Sequence, residues 1–214
     1  MTSEKKVLVF RKGDEILKAL SEADERMAYL IELIGDYSLE LEGDFFQSLV
    51  QSIVGQQLST KAADSIWKKL KDFCGEVTPA KILGLEEDEL RSVGLSKKKI
   101  EYIKDLAGKV ESGALDLKRL DTMSDEDIIR TLLQVKGIGR WTAEMFLIFS
   151  LGRLDVFSVQ DYGLQLSVKW LYELPDWPDK SCLVELSQRW KPYRTVASLY
   201  LWEAKNRGLA KELV

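Results

Sequence analysis

The sequence predicts an all-α protein, and three observations carry that reading. Apolar residues recur at three- and four-residue steps through most of the 214 residues. The stretches joining these periodic runs are roughly two to six residues long, as in compact helical domains. Only VLVF at 7–10 reads as a strand, and it is short.

The elements follow in order. DEILKALSEADERMAYLIELIG, residues 14–35, carries helical spacing and ends at Gly35. GDFFQSLVQSIVGQQLS, 43–59, opens with Asp44 as N-cap, and Ser59 or Thr60 caps STKAADSIWKKLKDF. Pro79 sits in the first turn of the short helix PAKILG. EEDELRSVG stops at Gly94, and SKKKIEYIKDLAGKVESG starts from Ser96. SDEDIIRTLLQV begins at Ser124 with Asp127 three residues on, close to a capping box. WTAEMFLIFSLG, DYGLQLSVKWLY, KSCLVELSQRW and TVASLYLWEAKNRG complete the helices. LRSVGLSKKKIEYI and LLQVKGIGRWTAEMF echo each other as apolar, glycine, apolar, helix, which two ordinary helix connections would also produce.

Composition limits the chemistry. With 45% hydrophobic and 31% charged residues, the chain suits one large domain or two small lobes. No apolar run reaches the ~18 residues of a membrane span. MTSEKKVLVFRKGDE has an apolar core too short for a secretion signal, so the expected location is the cytoplasm, on the nucleoid in a prokaryote. Cys74 and Cys182 lie far apart, with no local zinc or iron–sulfur spacing and no sign of a disulfide scaffold. The absence of histidine excludes Ser-His and Cys-His nucleophiles and His-ligated metals, leaving Asp, Glu, Lys, Tyr or Cys for acid–base work. The net charge of −4 argues mildly against nucleic acid. Basic residues nonetheless cluster at Lys97, Lys98 and Lys99, at Lys136 and Arg140, and at Arg189, Lys191 and Arg194. Solvated helix faces account for such clusters equally well.

LLQV, KGIG and RWTAEMFLIF make a tight helix–hairpin–helix. Glycine at 137 and 139 permits positive φ and leaves amides uncovered at the start of a helix, where unpaired N–H groups favour an anion. Lys136 and Arg140 add positive charge, and phosphate is the natural ligand. The lysine–hydroxyl ending of a P-loop is missing, which speaks against a nucleoside triphosphate. A bare Gly-Ile-Gly is otherwise a helix C-cap and turn.

LLQVKGIGRWTAEMFLIFSLGRLDVFSVQDYG resembles the signature of the helix–hairpin–helix DNA glycosylases: a hairpin, a Gly/Pro-rich loop and an aspartate. The match is closest to the 3-methyladenine DNA glycosylase II branch. It extends to residues 45–67, 94–107 and 189–202. The resemblance implies two helical lobes about a DNA-binding cleft, 44–155 forming the central lobe and 1–43 with 156–214 the other. It implies a DNA repair enzyme that flips alkylated purines out of duplex DNA and hydrolyses the N-glycosidic bond. Asp161 matches the catalytic aspartate, which would stabilise an oxocarbenium-like sugar. A helix N-terminus suits that charge, although an isolated Asp there is also an ordinary N-cap. Asp155 and Glu144 are the rival carboxylates.

Trp141 stands where relatives that also cut the backbone have a Schiff-base lysine, and the four-cysteine cluster of another branch is missing. Both departures imply a monofunctional enzyme that leaves an abasic site. Trp141 and Trp202 match aromatic positions of the base pocket, whose faces attract a cationic alkylbase. Met145 departs from a pocket tyrosine of some relatives. Lys136, Gly137, Gly139, Arg140 and Thr142 would anchor the DNA backbone. Lys97 or Leu95 would be the wedge that fills the base stack, and Gln57 and Ser59 belong to a second duplex-probing loop. The carbonyls of Leu133, Val135 and Ile138 would hold Na+ or K+, with no other cofactor implied. Expected partners are double-stranded DNA with alkylated bases and no membrane, for a monomeric protein. The alternatives are a glycosylase for oxidised or mismatched bases, a non-catalytic DNA-binding module, and a helical protein-interaction domain.

Overall fold

The computed structural model describes residues 6–211, and it is helical throughout apart from one ribbon. The elements are β1 (Val7–Phe10), α1 (Glu15–Ala23), α2 (Glu25–Ile34), β2 (Tyr37–Glu40), α3 (Phe45–Gly55), α4 (Thr60–Cys74), α5 (Pro79–Leu83), α6 (Glu87–Ser92) and α7 (Lys97–Glu111). A 3₁₀ turn at Leu117–Thr122 leads to α8 (Asp125–Leu132), α9 (Arg140–Phe149), α10 (Tyr162–Leu171), α11 (Lys180–Gln188) and α12 (Arg194–Asn206). Among the described residues, no helix is long and apolar enough to cross a membrane.

Contacts divide the chain into two compact units, Glu42–Phe146 and Met1–Leu41 with Leu147–Val214. The division falls inside α9, so residues 147–155 group with the terminal segments rather than with the rest of 44–155. In the central unit, Asp44, Ser59, Ser96 and Ser124 each accept a backbone N–H from the first turn of the helix that follows. Asp127 completes the Ser124 cap differently from a capping box: the Ser124 hydroxyl donates to its carboxylate at 2.5 Å. Leu49, Ile53, Leu70, Ile82, Leu90, Ile103, Leu106, Ile128 and Leu132 are fully buried.

The terminal unit departs from the sequence reading in two places. Residues 14–35 form two helices, because Asp24 is extended (φ −155°, ψ 112°) and its carboxylate caps α2 by accepting from the N–H groups of Arg26 and Met27. The Tyr172 hydroxyl donates to the same side chain at 2.5 Å, an alliance that pushes the phenol upward through burial and this bond. Second, β2 pairs antiparallel with β1 in the register Val7↔Glu40 to Phe10↔Tyr37. Residues 37–42 do alternate, with Leu39 and Leu41 inward, so the signal was present but short. The Tyr200 hydroxyl donates to the Gly35 carbonyl at 2.9 Å, tying α12 to the end of α2.

Candidate functional site

In the central unit, α8 ends in a turn that hands the chain to α9. Val135 N–H donates to Leu132 O (3.0 Å) and Ile138 N–H to Val135 O (3.1 Å). Gly137 is left-handed (φ +79°), and a Cβ there would lie 2.0 Å from the ring of Tyr102. Glycine is therefore required twice, for its dihedral and for the ring packed on it. Its carbonyl accepts from Gln56 Nε2 at 2.8 Å. Gly139 differs from the sequence expectation: its φ is outside the left-handed region and a Cβ would meet open space.

The hairpin's charge is also balanced rather than bare. Lys136 N–H donates to Asp105 Oδ2 (2.9 Å) and its Nζ to Glu101 (2.7 Å), which raises the ammonium above its ordinary pKa. Arg140 bonds Glu126 (3.3 Å) and Glu144 (2.9 Å). The exposed pairs Lys136–Glu101 and Arg140–Glu126 are worth about 0–1 kcal/mol, so an incoming phosphate can exchange for them at little cost. Glu144 is buried beneath Arg140, a structural partner rather than a catalyst. Thr142 is buried as well, and supports α9 from inside instead of offering a hydroxyl. Trp141, 43% exposed, and half-buried Met145 stand one turn apart on the same face of α9.

Two further turns lie in this unit. After α3, Gln57 is left-handed (φ +56°), and Gln57, Leu58 and Ser59 are exposed, Ser59 as the cap of α4. Leu58 was not singled out from the sequence, although an apolar residue between two capped helices is a readable signal. Before α7, Leu95 is 3% exposed and would have to leave the core to enter a base stack, which removes it as a wedge. Lys97 is exposed. The lysine cluster splits: Lys98 lies over Tyr102, while Lys99 turns inward to donate to the Val54 carbonyl at 2.8 Å, and burial lowers its pKa. The Arg189–Arg194 cluster splits too, with Arg194 engaged by Asp155.

In the terminal unit, Asp161 is the N-cap of α10. Its Oδ1 accepts two N–H groups at 2.9 Å each, from the Leu164 backbone and from the Trp202 indole on α12. It is 9% exposed. Trp202 leans on Phe149 with centroids 5.6 Å apart. A Cβ on Gly163 would lie 3.1 Å from Asp161 Oδ1, 3.1 Å from Lys205 Cδ and 3.3 Å from Trp202 Cδ1. A missing side chain thus lets the carboxylate, the indole and a lysine stem converge. Gly163, Lys205 and Phe149 escaped the sequence reading. Only the three-residue step from Trp202 to Lys205 hinted at a shared face. Asp155 is held in a fork by Arg194 (Nε 2.7 Å, Nη2 3.0 Å), so both rival carboxylates are committed to ion pairs.

The backbone oxygens named for a cation are neutral, hard donors on a tight turn, and Val135 O keeps a second lone pair after accepting from Ile138. Oxygens of this chemistry are the donors that a hard monovalent ion takes. Among the described residues, no group of three His, Cys, Asp or Glu side chains could hold a metal ion.

A model of the HhH-GPD superfamily base excision DNA repair proteins matches residues 50–192, more than half of the chain, and the chain belongs to that superfamily. It is 35% identical over 192 residues to DNA-3-methyladenine glycosylase 1 of Schizosaccharomyces pombe, covering 86% of this chain and 84% of that protein. The crystal structure of a DNA-3-methyladenine glycosidase from Bacillus halodurans superposes with a TM-score of 0.87 at 42% identity, over 94% of each chain. The structure of S. pombe 3-methyladenine DNA glycosylase Mag1 in complex with abasic DNA gives 0.82 at 33% identity, over 90% of this chain and 97% of that one.

Proposed function

We infer that this protein is a monofunctional DNA glycosylase of the 3-methyladenine type, which removes alkylated purines from duplex DNA by hydrolysing the N-glycosidic bond. The observation that carries the role of Asp161 is the pair of hydrogen bonds its Oδ1 accepts from Leu164 N–H and Trp202 Nε1–H. Two fixed donors on one oxygen hold the carboxylate plane still, which is what electrostatic stabilisation of a developing oxocarbenium sugar needs. An alkylated purine leaves readily, so the site requires no strong acid at the base. The exposed indole face of Trp141 suits a cationic ring. With tryptophan at that position no amine is available there to attack the sugar, and the product is an abasic site.

Lys136, Gly137, Gly139 and Arg140 form the backbone anchor, with Lys97, Gln57 and Ser59 as further duplex contacts. The carbonyls of Leu133, Val135 and Ile138 would hold Na+ or K+, supplying charge for a phosphate. The protein acts as a monomer in the cytoplasm.

The test is incubation with methylated duplex DNA and chromatography of the released purines, with Asp161→Asn beside the wild type. Asparagine keeps an oxygen for both N–H donors, so the variant is expected to fold normally and release bases about 10²–10³-fold more slowly. Binding without release by the wild type would leave a DNA-binding module. Equal release by both proteins would remove Asp161 from its role.

A further inference from the structure

On α10, Tyr162, Leu166, Lys169 and Trp170 follow the three- and four-residue steps of a single helix face, and Glu173 lies just past the helix end. The stripe begins beside Asp161 in the chain and runs for roughly 12 Å. A groove of about 710 Å³ opens along it, lined by Leu166, Lys169, Trp170, Leu174, Trp177 and Lys211 among others. Such a volume suits a ligand site.

Two features give the groove a chemistry. Trp177, 41% exposed, stacks on Tyr162, 50% exposed, with centroids 5.5 Å apart and planes 24° apart. It is held there by a bond from its Nε1 to Gln165 Oε1 (2.9 Å), and Lys169 Nζ lies 5.7 Å from its ring centre. Ordered, exposed aromatic faces of this kind are stacking platforms. Charge is the second feature. Two lysines line the groove, and Glu173, the only carboxylate in its lining among the described residues, is already engaged by Arg26 at 3.0 Å. Asp176, Asp179 and Glu185 line an adjoining depression on the other side of Leu174 and Trp177, which the two share.

We propose that this groove binds an unpaired stretch of DNA strand, with bases stacked on Trp177 and its neighbours and phosphates met by Lys169 and Lys211. An exposed pair of stacked rings beside two lysines offers more than one base and one phosphate contact, which favours a strand over a single small ligand. The proposal extends the DNA reading above but is measured without base release, so the two fail separately.

The experiment is a fluorescence-anisotropy titration of fluorescein-labelled decathymidylate. The wild type is expected to bind, and Trp177→Ala to weaken binding about tenfold. Trp177→Phe, which keeps an aromatic face, should stay within about threefold of wild type. Lys169→Ala with Lys211→Ala should weaken binding and flatten its salt dependence. Since Trp177 is exposed, circular dichroism of Trp177→Ala should match the wild type; if it does not, the phenylalanine and lysine variants decide. Wild-type affinity in Trp177→Ala, or no binding by the wild type, overturns the proposal. So does displacement by thymidine monophosphate at equal nucleotide concentration, which marks a free-nucleotide site. A concentration-dependent dimer lost in Trp177→Ala would make the occupant a second copy, and overturns it equally.

Discussion

The entrances to α9 and α10 solve the same problem in opposite ways. At α9 a glycine turn frames the helix start, and side chains from α3 and α7 brace it through Gln56, Tyr102 and Asp105. At α10 a carboxylate caps the helix itself and recruits an indole 41 residues further along the chain. One entrance presents backbone, the other presents charge. Stability at the first should therefore rest on shape, and function at the second on a few atoms.

The severest way to break the contrast is Gly137→Ala. Positive φ costs an ordinary residue about 1–2 kcal/mol, and the new methyl would overlap the Tyr102 ring, so a loss of about 3 kcal/mol or more is expected in urea denaturation. Adding Tyr102→Ala sharpens the result: only the overlap is relieved, and the double-mutant cycle reads it separately from the dihedral cost.

Trp202→Phe addresses the other entrance. The ring against Phe149 persists while the N–H donor to Asp161 is lost. Single-turnover base release should fall about tenfold, close to 1.4 kcal/mol, with far less change in melting temperature. If stability falls as much as rate, the indole is packing and not positioning.

The smallest effect is expected from acid. Burial pushes the Asp105 carboxyl up, but bonds from Lys109 and from Lys136 N–H outweigh it, and the net shift is downward. A depressed carboxylate contributes stability that is complete above its unfolded pKa, near 3.9, and is lost as pH falls through its lower folded value. The protection factor at Lys136, taken against the intrinsic exchange rate at each pH, should therefore fall below about pH 4, and Asp105→Asn should show a weaker acid dependence, within about 1 kcal/mol. Unchanged exchange in both would detach Asp105 from the hairpin.

Legibility in the sequence followed the same contrast. The hairpin, the need for Gly137 and the caps at Asp44, Ser96 and Ser124 are local chemistry, readable from a few neighbouring residues, whereas Gly139 was not required as expected. Asp161 was readable as a cap by that logic, while its proposed role in catalysis rests on resemblance. What escaped depends on distant partners: the break at Asp24, fastened by Tyr172; β2, completed by β1; and the convergence of Gly163 and Lys205 on Asp161 across α10 and α12. Leu95 was misread because an apolar residue in a loop gives no local sign of whether it points inward.

The unit containing Asp161 is assembled from both ends of the chain, Met1–Leu41 and Leu147–Val214, whereas Glu42–Phe146 is continuous. On a ribosome the early segment emerges first, yet the bonds that complete it, from Tyr172 to Asp24 and from Tyr200 to Gly35, await residues made more than a hundred positions later. At roughly 5–20 residues per second, that wait lasts about 7–33 seconds, long enough for the continuous unit to fold in the interval. The unit bearing the hairpin can thus be finished while the one bearing the carboxylate is still incomplete, and a nascent chain arrested before α10 would hold the turn without the aspartate.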